Sequence, residues 1–233
     1  MYYYGYDNLF TIMLLILGSV VVLVAQARIN SAYRKYRIIK NKKNLTGADV
    51  AHEILNANGL SDIYVVATNG ELTDNYDPSK KVLHLSRDIF EGDSIASMAV
   101  AAHECGHAIQ DKVGYTPMKI RSALVPVVNF VTYMGYFVII IALIAGYTGY
   151  IIYGLLTLAA ALLFQLVTLP VEYNASNRAK AELVKLGLVD SAEQEDVSDM
   201  LHAAALTYVA SVISTLLNFL RLIILLGDRD DRR

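Results

Sequence analysis

Two histidines and a carboxylate near the middle of the chain have the spacing of a metal site. His103, Glu104 and His107 form an H-E-x-x-H pattern inside an alanine-rich stretch. Residues four apart lie on one face of an α-helix, so both imidazoles can face a single metal ion. Glu104 then lies beside the open coordination position, where it can take a proton from a metal-bound water. The pattern predicts a catalytic metal site.

A second His-Glu pair, His52 and Glu53, has Asn56 where the second histidine would stand. We interpret that pair as the solvated face of a helix. The chain has one cysteine, Cys105, so it has neither an intrachain disulfide nor a cysteine-rich zinc framework. The position of Cys105 inside the metal pattern favours the role of a small residue that packs in the core. A redox-sensitive thiol near the metal is the alternative interpretation. Any metal site must therefore use histidine and carboxylate ligands, which are typical of catalytic sites.

The composition indicates a membrane protein. Of the 233 residues, 55% are apolar, and the mean hydropathy is +0.40. Both values are high for a soluble domain. The apolar residues form blocks of about 20 residues, which is enough for a helix to cross a hydrocarbon core of roughly 30 Å. The net charge is −2, and no basic patch is interleaved with aromatic residues outside one juxtamembrane run, so we expect no nucleic-acid partner.

The first apolar block is followed, not preceded, by positive charge. Residues 1–8 have no lysine or arginine, which argues against the alternative of a secretory signal peptide. Seven basic residues then lie within sixteen positions: Arg28, Arg34, Lys35, Arg37, Lys40, Lys42 and Lys43. By the positive-inside rule this side faces the cytoplasm and the N-terminus lies outside.

The resulting organisation alternates membrane blocks with cytoplasmic segments. Both large polar segments face one compartment, so both can contribute to one site. The segments are an extracytoplasmic N-terminus at 1–8, transmembrane helix 1 at 9–27, a cytoplasmic part carrying H-E-x-x-H at 28–121, transmembrane helices 2 and 3 at 124–145 and 149–169, a cytoplasmic helical segment at 171–202, a fourth block at 205–226 and a charged tail at 227–233.

The fourth block contains Arg221. A single span would put the charged tail outside, against the charge rule, so a re-entrant or interfacial helix is the alternative to a transmembrane one. The other three blocks carry no charged residue away from their ends, which argues against a transporter, because a transport path needs intramembrane charges.

Two helices are expected in the first cytoplasmic part. Thr46 or Asn44 can cap a helix that ends at Asn58-Gly59. Ser94 can cap the helix that carries the metal pattern, from about Ile95 to Lys112.

Three strands are expected between these helices. Residues 63–66 are β-branched or aromatic, and Asn69-Gly70 can turn the chain into a return strand at 72–76. After a turn at 77–79, residues 81–86 alternate polar and apolar side chains, which predicts a strand with one buried face.

A catalytic zinc needs a third protein ligand. Glu172 is the first candidate, because Pro170 marks the start of a helix after the third apolar block and a carboxylate there can turn toward the cytoplasmic part. A glutamate that only compensates the helix dipole is the alternative. Glu182 is the second candidate, although it fits the solvated face of its helix. His84 and His202 are further histidines that we expect to be structural.

These residues resemble the YugP-type membrane zinc metallopeptidases. The resemblance covers nearly the whole chain and is carried by the H-E-x-x-H pattern, by 72–86, by Glu172-x-x-Ala175-Ser176-x-x-Ala179 and by 204–210. The chain is more distantly similar to the HtpX-type membrane proteases, whose third ligand is the glutamate of E-x-x-A-D. Ser176 stands where that aspartate would be, so support of a ligand histidine there would come from a neutral partner.

The resemblance implies a mainly α integral membrane protein with about four transmembrane helices and a small α+β zincin-like (gluzincin) domain. It implies Zn²⁺ on His103, His107 and Glu172, although cobalt or manganese would accept the same ligands. Glu104 would be the general base for a zinc-activated water, and peptides or membrane proteins would be the substrates. Tyr208, Arg178 or His202 could stabilise the oxyanion. The strand at 81–86 would offer an edge to an extended substrate.

A catalytically silent zinc-binding membrane protein that acts as a binding partner or sensor is the alternative function. Glu104 separates the two hypotheses, because a structural zinc site does not require a carboxylate beside its first histidine.

Overall fold

The computed structural model describes residues 3–71, 73–145 and 151–230. The chain divides into two compact units. The helical unit comprises Met1–Gln26, Ile120–Leu169 and Thr207–Arg233, and the α+β unit comprises Ala27–Lys119 and Pro170–Leu206. The elements, in order, are α1 Tyr3–Tyr36, α2 Gly47–Ala57, β1 Tyr64–Thr68, β2 Asn75–Asp77, β3 Val82–Ser86, α3 Arg87–Phe90, α4 Ile95–Lys112, α5 Thr116–Ile144, α6 Ile151–Lys185 and α7 Ser191–Asp230.

Four helices are long and apolar enough to cross a membrane, as the composition predicts. The candidate spans are Leu9–Tyr36, Thr116–Ala142, Ile152–Lys185 and Ser191–Gly227. Large apolar side chains on these helices are exposed, among them Leu23, Phe130 and Leu163. Exposed apolar surface of this extent is expected where a helix faces lipid. The loop at 146–148 that would join the second and third spans lies outside the described residues.

Small residues bring these helices together within the helical unit. A Cβ at Gly18 of α1 would lie 3.1 Å from Ser214 Oγ of α7, and one at Gly135 of α5 would lie 2.1 Å from Thr157 Oγ1 of α6. Close backbone approach at small residues is the usual basis of packing between apolar helices in a membrane.

Helix α6 is continuous through Pro170, and the predicted helix boundary there is wrong. Proline removes one backbone N–H, yet the helix runs from Ile151 to Lys185 with Pro170 inside it. Glu172 therefore lies in the middle of a 35-residue helix and not in a first turn. Its interpretation as a residue that compensates the dipole of a helix N-terminus no longer applies.

Helix α7 is also continuous, through the beginning of the last apolar block and past Arg221. A re-entrant segment would need a break in the backbone, and none occurs between Ser191 and Asp230.

The basic run after the first block forms ion pairs within the α+β unit. Arg28 pairs with Asp199 of α7, and the Tyr36 hydroxyl donates a hydrogen bond of 2.9 Å to the same carboxylate. Lys40 pairs with Asp93 at 2.6 Å. Exposed pairs of this kind contribute little to stability, because solvent screens them. Arg28 and Lys40 thus have structural partners, and the topological role of the basic run stays a prediction.

The sheet order β1-β3-β2 corrects two predictions. The strand expected to return along β1 is β2, which pairs antiparallel with β3, whereas β1 pairs parallel with β3. Leu72, the first residue of that expected return, lies outside the described residues. The strand expected to offer an edge is β3, which is central, so the edges belong to β1 and β2. Strand β2 is held by Ser86, whose N–H donates to Asp74 Oδ1 at 2.7 Å just before β2.

Both expected helix caps of the α+β unit are present. Thr46 caps α2 in a capping box with Asp49, and Ser94 caps α4 by accepting a hydrogen bond from the Ser97 N–H. The two helices enclose the core together with the sheet, and Leu83 and Leu85 of β3 are fully buried. Several alanines of α4 are also fully buried, which lets neighbouring backbones approach the metal-pattern helix closely.

Replacement of Thr46 by alanine is expected to destabilise the α+β unit by about 1 kcal/mol, because the Asp49 N–H loses its acceptor. Thermal unfolding followed by circular dichroism in detergent measures the change. Thr46→Ser retains the hydroxyl and is the control. Equal melting temperatures for Thr46→Ala and the unmodified protein would contradict the role of the capping box.

Candidate metal centre

Helix α4 presents His103 and His107 on one face, one turn apart. Their rings lie 4.8 Å apart between centroids, in an edge-on arrangement. His107 is buried, and the His103 side chain retains 16% of its exposure. The helix thus gives one histidine that is enclosed by protein and one that remains accessible from the surface.

Glu172 of α6 meets both imidazoles. Its Oε2 lies 3.2 Å from His103 Nε2 and 3.5 Å from His107 Nε2. The ligand atoms of the three residues all lie within 4.8 Å of one another. Metal–ligand bonds of 2.0–2.1 Å in tetrahedral geometry separate neighbouring ligand atoms by about 3.3 Å. The donor set and the carboxylate-to-histidine distances therefore fit a metal ion such as zinc.

Close contact between α4 and α6 makes this meeting possible. A Cβ at Gly106 would lie 2.4 Å from the Ala175 carbonyl oxygen and 3.1 Å from the Ala175 Cα. Only a residue without a side chain fits there. Gly106 lies between the two histidines of α4, and Ala175 lies one turn after Glu172, so this contact brings the third ligand to the other two.

Glu104 and Glu172 are buried, at 8% and 2% exposure. Burial raises the pKa of the Glu104 carboxyl, an effect that His107 and His103 reduce but do not cancel. Burial alone would lower the pKa of His107, but the Glu172 carboxylate, 3.5 Å from Nε2, and the charge of Glu104 outweigh burial and raise it. The centre thus concentrates two carboxylates and two imidazoles in a site largely excluded from water.

Each imidazole also has a partner for its Nδ1 atom. His103 Nδ1 lies 3.1 Å from Ser176 Oγ, the position singled out in the sequence as a neutral support. His107 Nδ1 lies 3.0 Å from Gln110 Oε1. Both histidines therefore direct Nε2 toward Glu172. Metal-binding histidines adopt this orientation when another residue forms a hydrogen bond with Nδ1.

Sequence reasoning missed Gln110 and Asn174. Gln110 is fully buried, and its Nε2 donates to the Val171 carbonyl at 2.8 Å and to Asn174 Oδ1 at 3.0 Å. A glutamine three residues after the second histidine lies on the same helical face, and that spacing was the available signal. Asn174 could not be identified in this way, because its role depends on the packing of α6 against α4.

Of the candidate oxyanion donors, Arg178 lies in this network, since its Nε donates to Asn174 Oδ1 at 2.8 Å. His202 of α7 is exposed. Tyr208 belongs to the α7 segment in the helical unit. The oxyanion roles of all three stay predictions.

The remaining candidates lie in other surroundings. Glu182 accepts a hydrogen bond of 2.9 Å from Asn58 and pairs with Lys185, so it links α6 to the end of α2. His84 lies on β3, and His52 and Glu53 lie exposed on α2. Cys105 is buried and contacts the Ala51 carbonyl. Burial raises its pKa, which supports a packing role for this thiol.

Comparisons with known proteins identify the family of the chain. A family profile described as "Putative neutral zinc metallopeptidase" matches residues 11–227. The chain is 40% identical over 208 residues to the "Putative membrane protease YugP" of Bacillus subtilis (strain 168), an alignment that covers 89% of this chain and 92% of that protein. No solved structure matches the chain with significance.

Replacement of Gly106 by alanine is expected to force α4 and α6 apart, because the new methyl group would meet a backbone carbonyl. Overpacking of this kind costs about 1–3 kcal/mol. We expect a lower melting temperature and a lower affinity for added metal ions. Gly227→Ala is the matched control, since a Cβ there meets nothing within 4 Å. An unchanged metal affinity in Gly106→Ala would show that the close contact does not govern the site.

Proposed function

The chain belongs to the YugP-type family of membrane zinc metallopeptidases, and from that premise we propose that it hydrolyses peptide bonds in membrane proteins or peptides. The convergence of His103, His107 and Glu172 carries the proposal. These three side chains would hold zinc and leave a fourth position open. When bound, zinc would supply a Lewis acid that acidifies water and polarises a peptide carbonyl.

Glu104 is the proposed general base. Its carboxylate would take a proton from the attacking water and later deliver it to the leaving amine. The pKa raised by burial suits both steps, because a carboxyl with an ordinary pKa is a weak proton acceptor near neutral pH. Arg178 and Tyr208 are the proposed donors to the oxygen on which negative charge develops.

An extended substrate would pair with the outer edge of β2. Strand β3 is central, so its backbone groups are already used on both sides. β2 is an edge strand and is tied to the metal-pattern helix by the hydrogen bond of 2.9 Å from the Tyr76 hydroxyl to Asp111. Main-chain pairing there would bind peptides with little demand on sequence.

The alternative, a silent zinc-binding partner or sensor, is disfavoured by the burial of Glu104. A buried carboxylate is unfavourable unless its environment compensates it, and a purely structural metal site has no need of this one. We therefore retain the enzyme as the first hypothesis.

The proposed active site faces the cytoplasm. Seven basic residues between Arg28 and Lys43 support this orientation, which leaves the joining loop of the second and third spans on the opposite side.

Metal analysis combined with a cleavage assay tests the function. We expect about one zinc per chain, since three ligands and an open position describe one catalytic site. Glu172→Ala is expected to lose zinc, whereas Glu104→Gln keeps zinc and loses about 10²–10⁴-fold in the rate of cleavage of an unfolded protein. Glu182→Ala is the matched control and is expected to retain both properties. Full zinc binding by Glu172→Ala would exclude the ligand assignment, and full activity of Glu104→Gln would exclude the mechanism.

Labelling of introduced cysteines tests the orientation. The native Cys105 is buried, so it does not compete for a reagent. A maleimide that cannot cross membranes is expected to label Lys80→Cys only in opened cells and Ile144→Cys in intact cells. Both positions are exposed, and the proposed topology puts them on opposite sides of the membrane. The reverse pattern would invert the topology.

A further inference from the structure

A chain of hydrogen bonds, buried at its His107 end and partly buried at its Arg178 end, extends from α4 into α6. His107 Nδ1 lies 3.0 Å from Gln110 Oε1, and Gln110 Nε2 lies 3.0 Å from Asn174 Oδ1. Asn174 Oδ1 in turn lies 2.8 Å from Arg178 Nε. We infer that Gln110, Asn174 and Arg178 are positioning residues that hold His107 in the tautomer whose Nε2 carries a free lone pair. We refer to these three residues as the amide relay.

The direction of every hydrogen bond in the relay follows from its last member. A guanidinium N–H can only donate, so the atom of Asn174 that faces Arg178 must be the amide oxygen. That oxygen also faces Gln110, which must therefore present its NH₂ group. The Gln110 oxygen is then the atom turned toward His107, and His107 Nδ1 must carry the proton. In the neutral imidazole Nε2 is then left unprotonated, as a metal ligand requires. Glu172 Oε2 lies 3.5 Å from this nitrogen, longer than a normal hydrogen bond, so it does not fix a proton there.

A second contact supports the same orientation of the Gln110 amide. Its Nε2 lies 2.8 Å from the Val171 carbonyl oxygen, an atom that can only accept. Both neighbours of Nε2 are thus acceptors, and an inverted amide would place oxygen against oxygen twice. Because Gln110 is fully buried, water cannot compensate such an inversion.

The other histidine has no comparable constraint. His103 Nδ1 faces the Ser176 hydroxyl, which can rotate and either donate or accept. Ser176 therefore permits both neutral tautomers of His103. We therefore expect that removal of the amide relay weakens metal binding more than removal of the Ser176 hydroxyl.

The relay also links the two helices that supply ligands. Gln110 is on α4, three residues after His107, and its Val171 contact is the residue before Glu172 on α6. The Gln110 amide thus contacts the proposed ligand His107 on α4. On α6 it contacts Val171, the residue next to the proposed ligand Glu172.

The metal-binding part of this inference rests on the proposed function, whereas the tautomer can be measured without metal. The first experiment therefore uses nitrogen-15 NMR of the full-length, histidine-labelled protein after chelation, at alkaline pH where imidazoles are neutral. The His107 signals are assigned by their absence in His107→Gln. In the unmodified protein we expect His107 with its proton on Nδ1. In Gln110→Met and Asn174→Leu we expect a mixture of tautomers.

The second experiment measures zinc affinity by competition with a chelator. Gln110→Met and Asn174→Leu are expected to weaken zinc binding by about 10–100-fold, the usual effect of removing the partner of a ligand histidine. Ser176→Ala is the matched variant at His103, and its effect is expected to be smaller. Asn174→Asp is the rescue variant, because a carboxylate oxygen still accepts from both Gln110 and Arg178. It should retain the tautomer and the affinity of the unmodified protein.

Three results would overturn the relay: an unchanged His107 tautomer and zinc affinity in Gln110→Met, equal damage by Asn174→Asp and Asn174→Leu, or a greater loss in Ser176→Ala than in Gln110→Met. If Gln110→Met does not fold, the same two measurements are made on Arg178→Met. Arg178 is only partly buried, and without its N–H donor the Asn174 amide is no longer required to present its oxygen. If the unmodified protein binds no zinc, the proposed function fails, and the NMR measurement still tests the relay.

Discussion

The arrangement of the α+β unit depends on how closely α4 and α6 approach each other. Their backbones touch at Gly106 and Ala175, where no side chain fits between them. All three proposed ligands lie within one turn of this contact, and so does Gln110. A crossing even one methyl group wider would lengthen the distances from Glu172 to both histidines. The alanines of α4 are buried in the same hydrophobic core, so the helix that carries the metal pattern is closely packed.

This tight enclosure has an electrostatic cost. Two glutamates and a histidine are almost fully removed from water in a unit whose other interior residues are largely apolar. Desolvation of an ionised group costs several kcal/mol. At Glu104 the two neighbouring imidazoles reduce this cost without cancelling it. A divalent cation would offset the two negative charges at the point where they converge. Metal binding and stability of this unit are therefore expected to be coupled.

Local signals predicted the parts of the fold that depend on neighbours in sequence. The caps at Thr46 and Ser94 are where the side-chain chemistry indicated, and His103 and His107 share a face because helical periodicity requires it. The errors concern long-range order. Pairing of β2 with β3 depends on Asp74 reaching Ser86, and continuity of α6 through Pro170 depends on tertiary packing that outweighs the loss of one hydrogen bond. The partnership of Gln110 with Asn174 could not be predicted either, because the two residues meet only once α4 and α6 have packed.

Continuity of α6 has a consequence for how the chain can vary in length. Glu172 lies on the same uninterrupted helix as Ala175, the residue that contacts Gly106 of α4. Each residue of an α-helix advances the direction of the side chain by about 100°. A single insertion or deletion between Glu172 and Ala175 would therefore rotate the carboxylate by that angle relative to the contact with Gly106, and away from the histidines. A loop would absorb such a change. Length polymorphism in this part of the protein is thus restricted to insertions that restore the helical phase, whereas the turn at Pro78–Lys80 carries no such restriction.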